Sequence, residues 1–586
     1  MRMMSRNDAI GRPVTGIKAL VILGILTAGA AAWISGAALA AYRWAYVALA
    51  YPPVVVVGQL TRLRHRTATV PTWSSWMAHI AGHYVQAQHK PYATLVLLEA
   101  GALAFLLAVS MWRVGWFLFT RPGRIAPGQT HGDAHMATER ELRALRDRGG
   151  PLLLGRVARR GGGGPRVCLD QAIQALNTLL VGPPGSGKTA GFIITNLLRE
   201  LGDRSLVVTD LKGELLRLCG RVLRHTHTVW AVNFLDPRAM GYNPLAGCVT
   251  PMDTFSFCDA WVSNTGQSRS DPFWDSACKE IMSAAIFHLQ ATAPEAPTLG
   301  TLYAFLCAQS PEAVIAQLKV SPAPLARDSA LSFMAALEAN EKLLGGAFAE
   351  IKPRFRIMSD PRVQAVTSRH DVDFARLADA SHKPVALFLQ LDRTLQEELK
   401  PLAAAFFLDA FRTLSQLADA SATGELARPV ACYLDEFGNL GVVPKMATWI
   451  STLRSAGVSM LLAVQHTAQL VALYGEDGAA TIIGSCATKI GLSGMGLEDA
   501  RTFSDLCGQT TRVTQQASSQ RQRFAVVSNQ GGLSQAETAA PLMTADQVRR
   551  LRPDELLAVV RHLPPVRLQQ CRWYQDREQA RRVKAA

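Results

Sequence analysis

Apolar positions along the chain fall into three patterns. Short apolar runs at 205–211, 228–235, 384–392, 430–435, 458–465 and 486–493 have the length of buried strands, and stretches with helical spacing separate them. That alternation predicts a mainly parallel sheet with helices on both faces. Between 252 and 376 the strand pattern fades, and helical spacing over 277–290, 298–308, 311–318, 329–339 and 346–358 predicts an all-α insertion. Runs at 556–560 and 566–569 predict a closing hairpin, followed by a charged, solvated tail after Tyr574. The third pattern is N-terminal: residues 19–42 carry no charge, and 91–112 carry only Glu99. At about 1.5 Å per residue, each run is long enough for a hydrocarbon core of roughly 30 Å. Trp112, Trp116, Phe117 and Phe119, with Arg113 and Arg121, resemble an interfacial belt at the end of the second run. Glu99 is costly in lipid and is expected to face another helix or subunit.

Composition changes this picture in two places. The net charge of +15 invites a nucleic-acid reading, but residues 1–124 hold twelve Lys or Arg against two acids and so carry +10 of it. Most of the basic excess therefore flanks the candidate spans, where anionic headgroups attract it. Ten cysteines, none in a CxxC pair, point to reduced and mostly buried thiols and offer no zinc site. Arg159 to Pro165, with four consecutive glycines, predicts a flexible connection or hairpin tip. The Gln-, Ser- and Thr-rich stretch 511–536 predicts either a mobile loop over a pore or a disordered surface loop.

The candidate chemistry begins at Gly182-Pro183-Pro184-Gly185-Ser186-Gly187-Lys188-Thr189, which follows the strand-like Leu179–Val181 and leads into a helical pattern. This is the context of a Walker A loop, in which glycines turn backbone N–H groups toward phosphate oxygens and the helix start adds positive dipole. Lys188 is placed on the β- and γ-phosphates of ATP, and Thr189 on Mg2+. The strand 430–434 runs into Asp435, assigned to the Mg2+ shell, and Glu436, assigned to polarising the attacking water. Gln465 ends another strand-like run and is a candidate sensor of the γ-phosphate; His466 receives no catalytic role. Arg454, on the helix before that strand, is either a solvated charge or an arginine finger for a neighbouring subunit. Since such an ATPase needs cytoplasmic nucleotide, the loop between the two spans is placed outside, although its own Arg and Lys residues leave charge-based orientation undecided.

With these pieces together the chain resembles the type IV secretion coupling proteins, the TraG family of conjugative transfer ATPases. His131 to Thr138 resembles the family's entry motif, with Asp133 and Met136 departing from it. Val207 to Glu214, including Asp210, Lys212 and Gly213, resembles its second-strand motif, and Asn243-Pro244 its Asn-Pro element. Asp271, Phe273, Trp274 and Ala277 resemble the start of its helical insertion, and Leu434 to Gly438 with Gln465 its later motifs; Gly484-Ser485 stands where a Gly-Asn pair is common. Lys212 is left between a phosphate contact and a subunit interface. Phe273 and Trp274 are read as core anchors, and Asp210 and Glu214 as residues that end a strand and cap a helix.

The resemblance implies an α/β fold: a RecA-like P-loop nucleotide-binding domain with an all-α insertion and an N-terminal two-helix transmembrane anchor. The expected divisions are 1–124 (anchor with a periplasmic loop), 125–251 and 377–575 (nucleotide-binding domain), 252–376 (insertion) and 576–586 (tail). It further implies a homo-hexamer in the bacterial inner membrane, with the ATPase domain in the cytoplasm and ATP at subunit boundaries. Implied partners are membrane lipid, inner-membrane components of a secretion channel, and cargo: single-stranded DNA with the relaxase of a relaxosome, or effector proteins. Two other classes fit the motifs less well. An FtsK-like double-stranded DNA translocase is expected to carry a sequence-reading winged helix after the motor. A non-motor membrane scaffold would not need Asp435, Glu436 and Gln465.

Overall fold

The computed structural model describes residue 101, residues 104–113, and residues 130–585 except 144, 147–149, 159–163, 171, 172, 174, 266–271, 294, 335–340 and 520–530. The chain divides into two compact units, residues 1–125 and 126–586. In the first, residues 101 and 104–113 are helical, and Phe105, Leu106, Met111 and Trp112 are exposed. The run 19–42, the loop after it and Glu99 lie outside the described residues. Among the described residues no helix is long and apolar enough to cross a membrane.

The second unit holds β1 (Leu152–Arg156), β2 (Arg166–Leu169), β3 (Thr178–Val181), β4 (Ser205–Asp210), β5 (Thr228–Asn233), β6 (Val385–Gln390), β7 (Val430–Leu434), β8 (Val458–Val464), β9 (Thr488–Leu492), β10 (Gln509–Ser519), β11 (Gly531–Pro541), β12 (Glu555–Val560) and β13 (Val566–Gln569). Its helices are α1 (Ile194–Leu197), α2 (Glu214–Leu223), α3 (Pro251–Ser263), α4 (Pro272–Thr292), α5 (Leu299–Cys307), α6 (Pro311–Lys319), α7 (Pro324–Ser329), α8 (Glu341–Arg354), α9 (Pro361–Thr367), α10 (Gln396–Asp419), α11 (Met446–Ser455), α12 (Ala468–Gly484), α13 (Leu497–Cys507), α14 (Ala545–Arg549) and α15 (Arg577–Ala585). Eleven strands form one sheet in the order β2-β1-β13-β12-β9-β3-β8-β7-β4-β6-β5. From β9 to β5 every neighbouring pair is parallel, and the β12, β13, β1 and β2 end is antiparallel.

Both faces of the parallel region are covered, which is why its strands read as continuous apolar runs. Alternate residues feed two cores. Leu179, Val181, Val207, Leu387, Cys432, Leu434, Leu462 and Val464 pack on the side that carries α10 and the helical segment. Leu180, Leu206, Val208, Phe388, Tyr433, Leu461 and Ala463 pack against Phe192, Ile193, Leu215 and Cys219 of the opposite layer. A strand's period of two makes this division automatic once the register is set. All ten cysteines are unbridged, and nine are buried.

Between β5 and β6 the described residues hold helices and no strand. Their starts follow from local chemistry. Thr250 and Asp253 form a reciprocal capping box on α3, Thr298 and Thr301 do so on α5, and Ser310 and Asp360 cap α6 and α9 ahead of Pro311 and Pro361. Each such cap contributes on the order of 1 kcal/mol, and proline is tolerated at a first helical position because that N–H has no intrahelical partner. Trp261 stacks on Phe355 at 5.2 Å, and Arg354, buried, donates to the carbonyls of Val262 and Thr265 and to Asp275. Trp274 packs against Gly346, where a Cβ would lie 2.7 Å from the indole. Phe273, by contrast, is 42% exposed, so only one of the two expected anchors enters the core. The Asn243 side chain starts this segment by accepting from the Leu245 N–H and donating to the Pro297 carbonyl.

A buried ionic knot ties the segment to α10. Tyr242 donates to Asp409 at 2.6 Å, and Arg412 pairs with Asp409 at 2.6 Å and with Asp253 at 2.9 Å.

Two further expectations change. The stretch 511–536 is not a structureless loop: β10 and β11 pair antiparallel from Gln509↔Pro541 to Ser519↔Gly531, with the tip outside the described residues. Its Thr and Val residues suit a ladder, and polar composition alone does not separate such a ribbon from a loop. The tail after Tyr574 is not free in solvent. It forms α15, in which Gln579 is buried and donates to the Thr195 carbonyl, while Arg582 donates to the Leu198 carbonyl. The Arg159–Pro165 connection joins β1 to β2, which pair antiparallel on either side of it.

Candidate functional site

The parallel strands end at one edge, and the polar residues of the sequence motifs collect there. β3 lies between β9 and β8, with Val181 opposite both Gly491 and Val464. Gly182 therefore starts its turn beside Gln465, and its N–H donates to the Val464 carbonyl at 3.2 Å. β7 lies on the far side of β8, with Leu434 opposite Leu462, so Asp435 emerges one strand away from the loop. The loop reaches it across that gap: Thr189 Oγ1 donates to Asp435 Oδ2 at 2.8 Å. Two further bonds fix the acid. Thr209 of β4 donates to the Asp435 carbonyl at 2.9 Å, and the Glu436 N–H donates to Asp435 Oδ1 at 3.1 Å.

The loop itself needs its glycines. Gly185 and Gly187 have φ of +77° and +98°, a region that side chains with a Cβ disfavour. A Cβ on Gly182 would lie 2.7 Å from Ser186 Oγ and 2.8 Å from Leu492. Lys188 is buried, and Nζ donates to the Gly182 and Pro183 carbonyls at 2.5 and 3.2 Å. Burial lowers its pKa from the ordinary lysine value, opposed by the nearby charges of Asp435 and Glu436 and assisted by Lys212. Ser186 Oγ is buried with no hydrogen-bond partner among the described residues, a donor turned into the loop. Burial pushes the Asp435 carboxyl up to about 6, against the pull of the Thr189 hydroxyl and of Lys188.

A desolvated carboxylate with a hydroxyl 2.8 Å away is a hard-oxygen donor set that suits a divalent cation such as Mg2+, which takes one or two protein oxygens and completes its shell with water and phosphate. The loop, with its orphaned hydroxyl and an ammonium at its centre, suits the phosphates. The Pro183 carbonyl accepts from the Ser186 N–H at 3.2 Å, which closes the first turn of the loop.

Glu436 sits in the left-handed region (φ 52°, ψ 46°), uncommon for a residue with a side chain and often a sign of a functional constraint. Asn439 holds its carboxylate, donating to Oε2 at 2.8 Å. The Gln465 N–H donates to Gln469 Oε1 at 3.0 Å, which fixes the start of the turn that carries its half-buried side chain. His466 is exposed and lies 3.5 Å from Asp499, whose carboxylate also accepts from the Thr467 N–H and hydroxyl. Asp210 accepts from the Leu216 N–H and ties β4 to the start of α2.

Arg454 is the one candidate that the fold keeps apart. It lies exposed in the last turn of α11, beside the start of β8, whereas Gln465 follows the end of that strand. Seven residues at about 3.3 Å each put roughly 20 Å between the two ends.

Sequence reasoning missed Thr209, Asn439, Gln469 and Gln570. Asn439 stands three residues after Glu436 and was within reach of a local reading. Gln570, whose amide donates to the Ser186 carbonyl at 2.9 Å from 384 positions away, carried no local signal.

The family described as Type IV secretory system Conjugative DNA transfer matches residues 159–586. Over 411 residues the chain is 25% identical to protein VirD4 of Agrobacterium fabrum, a match that covers 68% of this chain and 59% of that protein. It is 25% identical over 410 residues to the conjugal transfer protein TraG of Escherichia coli, covering 64% of this chain and 61% of TraG. The chain thus spans about three fifths of the length of these curated relatives. Among solved structures, the plasmid coupling protein TrwB in complex with ADP and Mg2+ superposes with a TM-score of 0.55 at 18% identity, over 75% of this chain and 92% of that one. The unbound monoclinic form of TrwBdeltaN70 gives 0.56 at 18% identity, over 75% and 92%. The likeness to these structures is one of fold, a mixed α/β architecture.

Proposed function

The chain belongs to the type IV secretory conjugative DNA-transfer family, whose pattern runs through residues 159–586, and on that premise we propose that it is an ATP-driven coupling protein that recruits cargo and helps to move it into a type IV secretion or conjugation channel. The observation that carries the reading is the 2.8 Å contact between Thr189 and Asp435, made by two segments 246 positions apart at the tips of two strands. TrwB, which shares the fold, forms a complex with ADP and Mg2+. Here Lys188, the Ser186 hydroxyl and the N–H groups of Gly185, Gly187, Lys188 and Thr189 are assigned to the phosphates, and Thr189 and Asp435 to Mg2+. When bound, the ion would neutralise charge on the β- and γ-phosphate oxygens.

The remaining steps belong to this chain's own side chains. Glu436, held by Asn439, orients and polarises the attacking water. Gln465, level with the loop's first glycine, reads whether the γ-phosphate is present. Arg454 points to assembly: placed about a strand's length from the site of its own chain, it can act only on a neighbour's. A homo-hexamer with ATP at the subunit boundaries supplies that neighbour. The uncharged run 19–42 and the exposed apolar side chains of 104–112 support anchoring in the bacterial inner membrane, with the ATPase unit in the cytoplasm. Single-stranded DNA with its relaxase is the cargo that the family favours, with effector proteins as the other class; membrane lipid and inner-membrane channel components complete the partners.

The test is phosphate release by the purified full-length chain, with and without single-stranded DNA, beside transfer frequency in cells. Stimulation by DNA, and loss of both hydrolysis and transfer in Lys188→Ala, is the expected result. Wild-type transfer from the Lys188→Ala strain would refute the motor. Full ATPase activity in assembled Arg454→Ala would remove the finger.

A further inference from the structure

Outside the motifs, the phosphate loop has one side-chain support that comes from the far end of the chain. Gln570 follows β13 and is 7% exposed. Its backbone N–H is fixed on the Asp554 carbonyl at 2.7 Å. Its side chain passes beneath the loop, where Nε2 donates to the Ser186 carbonyl at 2.9 Å and also lies 3.5 Å from the Glu555 carbonyl. Oε1 is buried without a hydrogen-bond partner among the described residues and lies against two glycines: a Cβ on Gly187 would meet it at 2.3 Å, and one on Gly191 at 2.7 Å. Gly187 and Gly191 thus leave the space that this amide fills.

An apolar side chain of the same length would fill the space without burying an unpaired carbonyl, which is costly. The amide therefore has to be explained by its bond to Ser186. In a trans peptide the C=O and the following N–H point in opposite directions. Holding the Ser186 carbonyl down toward Gln570 turns the Gly187 N–H the other way, into the concave side of the loop. The segment that carries Gln570 is itself tied down. Thr195 Oγ1 donates to the Cys571 carbonyl at 2.6 Å, the Gln579 amide donates to the Thr195 carbonyl at 3.0 Å, and Asp576 takes Arg156, at 3.2 Å, and Arg166 of the β1–β2 hairpin.

We propose that Gln570 is a positioning residue for nucleotide, setting the Ser186–Gly187 peptide for the phosphates through a strap formed by residues 570–579. The proposal rests on the ATP reading above. It is tested on the full-length chain by titrating a fluorescent ATP analogue with Mg2+ and by steady-state hydrolysis. Gln570→Met keeps the volume and removes the amide. It should weaken nucleotide binding about fivefold and raise KM alike, with kcat within about twofold, as loss of one buried hydrogen bond predicts. Gly191→Ala should weaken binding by about tenfold or more, because its methyl meets Oε1. The double variant Gly191→Ala/Gln570→Ala should bind about as Gln570→Ala alone does, because the methyl then has no Oε1 to meet, and a general loss of stability would not produce such non-additivity. Wild-type affinity in Gln570→Met, or losses that simply add in the double variant, would overturn the proposal while leaving the ATP reading intact. A wild-type chain that binds no nucleotide would overturn both.

Discussion

Two aspartates of this protein are buried and pushed up to about 6 by the same physical cause, yet they sit in opposite circumstances. Asp409, on α10, has its counter-charge built in: Arg412 lies at 2.6 Å and the Tyr242 hydroxyl at 2.6 Å, with Asp253 sharing the arginine. Asp435, at the tip of β7, has a hydroxyl and a backbone N–H but no cation in contact among the described residues; the nearby Lys188 donates instead to the loop's own carbonyls. A buried charge paired within the chain holds a fold together. A buried charge that meets only neutral donors is arranged for a cation from outside. The difference separates a structural knot from the proposed nucleotide site without reference to motif.

Four measurements would break or sharpen that contrast. The largest effect is expected in Lys188→Ala, which should lower ATP hydrolysis by about 100-fold or more, as loss of a charge aimed at the reacting phosphates does, and leave thermal unfolding in the absence of nucleotide nearly unchanged. If the melting temperature falls sharply instead, the lysine is part of the scaffold and the contrast fails. Asp409→Ala should do the reverse. It leaves Arg412 buried with half its partners and should cost about 3 kcal/mol in denaturant unfolding, while KM for ATP in the folded protein stays put. Chelation of Mg2+ comes third. It should weaken nucleotide binding by about tenfold, since the Asp435 charge is then left facing phosphate without its cation, and Asp435→Asn should make binding much less sensitive to the chelator in isothermal titration.

The smallest effect is a pH dependence of the knot. The folded-state pKa of Asp409, about 6, lies above the ordinary 3.8, so the native state holds this proton more tightly than the unfolded chain does. Wild-type stability relative to Asp409→Asn should therefore fall as pH rises from about 4 to about 6 and level off above that. The groups facing Asp409 are Arg412, Tyr242, Asp253 and Cys248. A flat difference in melting temperature across that window would show that Asp409 stays ionised through it and that the knot is no counterpart to Asp435.

Much of the architecture was legible because its causes are local. Continuous apolar runs marked β4 to β9, since strands covered on both faces need no polar alternation. Helical spacing marked the helix that starts at 311, whereas the helices at 251 and 361, which carry the same cap-and-proline signal, were not read. The loop 182–189 was legible because its glycines are demanded by backbone angles that only its own residues decide. What stayed hidden depends on contacts between distant segments. A polar ribbon such as β10–β11 reads as a loop when composition is all there is, because each strand's ladder partner lies in the other. A charged tail reads as solvated until Thr195 and Leu198 are seen to accept from it.

By itself, then, the sequence determined that a glycine-rich loop, an acidic pair and Gln465 stand at the ends of strands, because strand length and apolar period are properties of short segments. The tertiary structure alone decided that Thr189 meets Asp435, that Thr209, Asn439 and Gln570 brace the site, and that Arg454 stands too far away to serve its own chain. Those outcomes follow from the order in which strands enter the sheet and the register in which they pair, which are settled by the two cores and by no run of residues within them.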